Sequence, residues 1–158
     1  MTQPGRTLAA LLAFLALSAC AAKRIPGTDI QDNVDTRAIV AIIDDYRKAV
    51  EARDPRAVMA LVSPLYFDNA GTADPSDDLD YAQLEKALPA DFEKLAGVRL
   101  EIGVKQISVD GDKATAEVFY DGHFRVITPR GEVAKTESDV QRMHFHHEKS
   151  GWKFVSGL

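Results

Sequence analysis

The sequence predicts an α+β domain in which three N-terminal helices pack on a curved, mainly antiparallel sheet. Three observations predict it. Over residues 35–53 the side chains Ile39, Ile42, Ile43, Tyr46, Ala49 and Val50 recur at three- and four-residue spacing, the period of a helix buried on one face. After Gly97 the period drops to two and holds almost to the C-terminus, the pattern of half-buried strands. Turns at Arg130-Gly131 and Ser150-Gly151 then bring one set of apolar residues onto a single sheet face.

A segment of a different kind precedes these elements. Arg6 makes a short basic stretch, and residues 8–17 form an apolar run too short to span a bilayer as a helix. Leu17-Ser18-Ala19-Cys20 follows. This tetrapeptide resembles the bacterial lipobox, in which small residues let the extended chain enter a signal peptidase and the cysteine thiol takes a diacylglyceryl group. The expected division is a lipoprotein signal peptide over 1–19, a lipidated Cys20 with a flexible tether over 20–33 (polar, with Pro26 and Gly27), and one domain over 34–158. Cys20 is the only cysteine, so no disulfide is available and packing alone must hold the domain.

Removing residues 1–19 takes away Arg6 and no acid, which moves the formal charge from −5 to −6. An acidic chain argues against nucleic acid and against polybasic attachment to anionic lipid. The expected membrane partner is therefore reached through acyl chains, at about 0.8 kcal/mol per buried methylene. Ala21, and not an acid, follows the cysteine. By resemblance to Gram-negative lipoproteins this implies, if the host is Gram-negative, the outer membrane, facing the periplasm.

In the domain, Asp54-Pro55 restarts the chain after the first helix, with Asp54 as N-cap and Pro55 at the first helical position of a short helix running to Val62. Residues 65–68 suit a short strand, and 69–80 a loop. Asp80 and Gln83 have capping-box spacing and open a third helix, which Pro89 should kink or split and Gly97 should end. In the strands, a phase slip at Lys105-Gln106 predicts a β-bulge, and Gly111-Asp112 a hairpin turn. A long strand over 114–127 returns over 133–149, and residues 152–156 close the sheet. Two-residue loops at Arg130-Gly131 and Ser150-Gly151 would pair Val118 with Met143 and Phe145 with Ser156. Ala116, Val118, Tyr120, Met143, Phe145, Trp152 and Phe154 then share the inner face, with Thr115, Glu117, Phe119, Arg142, His144 and His146 outside.

The stretches "IVAIIDDYRKAVEARDPRAVMALVS" and "HHEKSGWKFVSGL" carry a family resemblance. The first resembles the long helix, break and short second helix of the nuclear-transport-factor-2-like superfamily, which includes SnoaL-like proteins and ketosteroid isomerase. The second resembles its final hairpin with a buried Trp. The resemblance covers roughly residues 34–158, departs between Leu65 and Tyr81, and includes no catalytic motif. It implies a cone with a pocket between sheet and long helix, here bordered by Tyr46, Tyr66, Tyr120, Phe145 and Trp152. Enzymes of the superfamily place a carboxylate and a tyrosine or second acid in such a pocket. The corresponding candidates are Tyr46, Asp68 and Asp121. Each has a plainer reading: a core tyrosine, a turn former before Asn69-Ala70-Gly71, and a bulge at Asp121-Gly122.

His144 and His146 share a strand face, and the expected register puts Glu117 opposite His144. Three ligands on an open face are too few for a closed structural zinc site, so no metal and no cofactor is expected. Asp74, Asp77, Asp78 and Asp80 lack the order of a calcium loop and suit a solvated loop and a helix cap. The favoured function is a non-catalytic ligand- or protein-binding module held at the cell envelope by its lipid, with a small apolar molecule or an envelope protein as partner. The alternative is an isomerase, dehydratase or hydrolase using carboxylates in the cone. The outer face, with Phe119 and Val140 among polar residues, implies a monomer or a weak homodimer.

Overall fold

A computed structural model describes residues 23–72 and 74–158. The apolar run and Cys20 lie outside the described residues. No helix among those described is long and apolar enough to cross a membrane.

Helix α1, Val34–Ala52, begins with a capping box: the Asn33 side chain accepts from the Thr36 amide at 2.9 Å, and Thr36 Oγ1 accepts from the Asn33 amide at 3.1 Å. Arg53 ends it at φ 52°. Asp54 then caps α2, Pro55–Met59, accepting from the amides of Arg56 and Ala57 at 3.0 Å each. The sequence predicts that this helix continues to Val62. It stops earlier because residues 61–63 bond to the last strand instead: the Phe154 amide donates to the Leu61 carbonyl, and the Ser63 amide to the Phe154 carbonyl.

Strands β1, Phe67–Asp68, and β2, Leu79–Asp80, pair antiparallel. The hairpin missing from the sequence reading is thus present in minimal form, its two-residue strands too short for any periodicity to register. Helix α3, Tyr81–Glu93, has the predicted Asp80–Gln83 capping box at 2.8 Å in both directions. It runs unbroken through Pro89. The carbonyl that Pro89 leaves without an amide is that of Glu85, an exposed residue where water can serve. Gly97 does not end the helix. It lies within β3, Leu95–Asp110, where an added Cβ would come within 2.9 Å of the Arg125 guanidinium.

The main sheet has the order β3-β4-β5-β6, all antiparallel, with β4 at Lys113–Thr128, β5 at Gly131–Glu148 and β6 at Gly151–Ser156. The predicted bulge falls between Val104 and Gln106, and further register shifts at Leu95/Gly97 and His144/Phe145 add curvature. No bulge interrupts Asp121-Gly122, whose partners run on continuously.

Both later hairpins depart from the predicted register by two residues. Thr128 pairs with Gly131 and Glu148 with Gly151, so Ala116 meets Met143 and Phe145 meets Phe154. Pro129 suits the second position of a type I turn and excludes the positive φ of the tighter hairpin turns. Gly131 and Gly151, at φ 114° and 106°, become the fourth turn residue in each case. A two-residue shift leaves every side chain on its predicted face. The predicted inner residues Ala116, Val118, Met143, Phe145, Trp152 and Phe154 are accordingly buried, packed with Ile39, Ile42 and Ile43 of α1. A second cluster joins Ala49, Val50, Val58, Val62, Tyr66, Leu84 and Leu100, with Tyr46 touching both.

The expected tether over 20–33 is folded from Lys23 onward. The Asp32 amide donates to the Lys23 carbonyl at 2.6 Å, Arg24 bridges Gln31, and Ile30 is 4% exposed. Burial of Ile30 and the ion pairs of Asp32 with Lys23 and Arg37 hold a segment whose composition reads as loose.

Candidate functional site

The helical period that buries Ile42 and Ile43 also turns Tyr46 inward, where its ring lies 5.5 Å from Phe154. The side chain remains half-buried. Burial, with a smaller contribution from Tyr120, pushes its phenol up to about 12. Tyr120 projects from the inner face of β4 and is raised by burial and then by Glu137 and Asp139, the latter its cross-strand partner. Tyr66 is 2% exposed and is raised further, by burial first and Asp68 second. At neutral pH all three rings are protonated phenols, able to donate and accept hydrogen bonds but not to act as bases.

Asp68 is held by the backbone around it. One carboxylate oxygen accepts from the Ala70 amide at 2.9 Å. The other accepts from the Gly157 amide at 2.6 Å and the Tyr66 hydroxyl at 3.4 Å. The Leu158 amide in turn donates to the Tyr66 oxygen at 3.4 Å. Asp68 is therefore a clasp between the loop after β1 and the C-terminus. Asp121 projects from the outer face of β4, accepts from Ser138 at 2.8 Å and lies 3.7 Å from His123. The structure does not bring Tyr46, Asp68 and Asp121 together, since the sheet separates Asp121 from Tyr46.

Of the five residues expected around a pocket, Phe145, Trp152 and Tyr66 are packed core, at 1%, 6% and 2% exposure. Phe145 stacks on Phe154 at 4.7 Å, and the Trp152 indole donates to Asp35 at 3.2 Å. Tyr46 and Tyr120 keep accessible surface. Beyond Tyr120 the ring of Phe124 folds over Gly122, where an added Cβ would stand 2.6 Å from it.

A groove of about 670 Å³ opens elsewhere, between the β1–β2 loop, residues 140–142 of β5 and the C-terminus. Phe67, Leu79 and Val140 give it apolar walls, and Asp68, Asp77, Arg142 and His144 a polar rim. Sequence reasoning missed it because its sides are far apart in the chain: the Asp68–Gly157 bond spans 89 residues.

The histidines are placed differently from the sequence expectation. Glu117 pairs with Arg142, not His144. His144 Nδ1 lies 3.1 Å from Thr115 Oγ1, and His146 Nε2 lies 3.1 Å from Asp112 Oδ2. Among the described residues no three His, Cys, Asp or Glu side chains are placed to hold a metal ion. In the acidic loop, Asp74 accepts from the Ser76 amide, which lowers its carboxyl pKa, and Asp77 accepts from Thr72.

No family model and no curated protein sequence matches the chain. Solved structures do. A ketosteroid isomerase-like protein from Erwinia carotovora atroseptica has a TM-score of 0.62 at 17% identity, over 78% of this chain and 93% of that one. A candidate dehydratase of the NTF2-like family from Streptomyces avermitilis has 0.62 at 16%, over 78% and 93%. A candidate scytalone dehydratase from Novosphingobium aromaticivorans has 0.67 at 16%, over 78% and 81%. Likeness at this identity speaks for architecture alone, and with the helices and curved antiparallel sheet described above it identifies this chain as having the nuclear-transport-factor-2-like fold.

Proposed function

We propose that this protein is a lipoprotein of the bacterial cell envelope, anchored through Cys20, whose domain binds a small apolar ligand or an envelope protein without catalysing a reaction. The observation that carries the non-catalytic reading is the state of the candidate acids. Both oxygens of Asp68 are taken by backbone and phenol donors, and Asp121 faces the outer side of the sheet. On the inner side, Asp139 is the cross-strand partner of Tyr120 but is exposed, and among the described residues no carboxylate is hydrogen-bonded to the phenols of Tyr46 and Tyr120. The anchor reading rests on Leu17-Ser18-Ala19-Cys20 after the apolar run. If the host is Gram-negative, Ala21 favours the outer membrane.

The anchor is tested by labelling cells with a fatty-acid analogue. Wild-type protein takes the label and partitions with detergent, whereas Cys20→Ala is unlabelled. An unlabelled wild-type chain in the aqueous phase overturns this reading. The binding role is tested by native mass spectrometry and pull-down from solubilised membranes, which should recover a retained ligand or a stoichiometric partner. A second reading, an isomerase, dehydratase or hydrolase, draws on Asp68 bordering the groove and on the names of the structural neighbours. It requires turnover of a substrate that Asp68→Asn abolishes while the fold survives.

A further inference from the structure

The N-terminal turn limits how the domain can sit once Cys20 is acylated. The chain from Lys23 to α1 has no slack. The Ile25 amide donates to the Ile30 carbonyl at 2.9 Å, and the Thr28 amide donates to the Ile25 carbonyl at 3.0 Å, which closes the loop. Thr36 Oγ1 also donates to the Gln31 carbonyl at 2.6 Å, joining the turn to the first turn of α1. Lys23 is thus fixed beside the N-terminus of α1. Only three peptide units separate it from Cys20, a reach of about 11 Å at most.

The same end of the molecule carries two hairpin turns. Trp152 donates to Asp35 in the first turn of α1 and lies 4.9 Å from the ring of His147. The His147 amide donates to the Asp112 carbonyl at 2.7 Å. The N-terminal turn, Gly111-Asp112 and Lys149-Ser150 are therefore neighbours. From there β4 runs 16 residues to the turn at Pro129-Arg130, a path of about 50 Å at strand rise.

We propose that this end rests against the lipid headgroups, with Gly111-Asp112 and Lys149-Ser150 at the bilayer and the Pro129-Arg130 turn directed away from it. This rests on the lipoprotein reading above. The groove beside Asp68 then stands clear of the membrane, since Arg142 lies six residues along β5 from Glu148, about 20 Å. The contact is imposed by the short link and not by charge. Lys23, Arg24, Arg37, Lys113 and Lys149 at this end stand beside Asp29, Asp32, Asp35, Asp110, Asp112 and Glu148, which leaves no basic excess to bind headgroups. Orientation should therefore persist on zwitterionic lipid and at high salt.

The test uses the full chain matured in a Gram-negative host and reconstituted in phosphatidylcholine vesicles containing a headgroup nitroxide. A thiol-reactive fluorophore is placed at Ser150→Cys or Arg130→Cys. Quenching at position 150 should exceed that at 130 by roughly fivefold, in low and high salt alike. Ten Gly/Ser residues inserted between Ala22 and Lys23 should erase most of the difference, because the enlarged reach frees rotation. Equal quenching at the two positions in acylated protein, or a difference untouched by the insertion, overturns the orientation. Mass spectrometry of the Cys20 peptide separates the two claims: an unmodified Cys20 removes the anchor itself, and the orientation with it.

Discussion

Tyr46 shows how one side chain couples burial to pH. Its phenol is raised to about 12, chiefly because the ionised form would be stripped of water. The unfolded chain ionises near the ordinary value of about 10. Tyr46 therefore contributes its full stability below pH 10 and loses it as pH rises towards and through 12, a swing on the order of 2 kcal/mol. Tyr46→Phe cannot ionise, so denaturant melts at pH 9 and pH 11.5 should show a smaller drop for the variant than for wild type. Equal drops would mean that the ring is solvated. Gly157 is the second informative residue. Its φ is 88°, and an added Cβ would run into the Arg142 carbonyl. Gly157→Ala should release the C-terminus from Asp68, at a cost of about 1–3 kcal/mol, and raise amide exchange at Gly157 and Leu158. Of the two, only Tyr46 has a periodic signature. Tyr46 is legible as a core position, but the clasp at Gly157 is not, because nothing near Gly157 in sequence announces Asp68.

The helices and hairpins divide by how local their causes are. The caps at Asn33, Asp54 and Asp80 are set within three residues. Of the three, Asp54 and Asp80 are legible in the sequence. Asp54→Ala should cost about 0.5–2 kcal/mol by removing the carboxylate oxygen that accepts from two amides. The end of α2 and the pairing of β1 with β2 depend on distant backbone, so the sequence reading overruns the one and misses half of the other. The closing hairpin supports the first helix through Trp152, at 6% exposure. Trp152→Ala should cost about 3–5 kcal/mol, with the indole's bond to Asp35 lost as well. A loss below about 1 kcal/mol in urea would place the indole outside the core.

For the molecule as a whole, we propose that any self-association runs through the outer sheet face. Phe119 and Val140 are directly paired there, 42% and 45% exposed, with Lys105 Nζ 5.8 Å from the Phe119 ring. Around them stand Glu117, Arg142, Thr115, His144 and Asp121. An apolar pair inside a polar field suits at most a weak self-association. Sedimentation of the chain from Lys23 onward should give a monomer, or a dimer that Phe119→Asp dissociates while the melting temperature changes little. A tight dimer indifferent to Phe119→Asp would exclude this face.

By itself the sequence determined the class of the fold, the order of its major elements and the side of the sheet on which each residue lies. Those follow from periods of 3.6 and 2, and a two-residue register error cannot disturb the latter. The tertiary structure alone decided which distant groups meet. It closed the 23–33 turn on Ile30, spent the Asp68 carboxylate on the C-terminal backbone, and put the sheet between Tyr46 and Asp121. Residues that lie far apart in the chain leave no joint signature in it. Their contact depends on sheet curvature and loop closure, which accumulate over the whole fold.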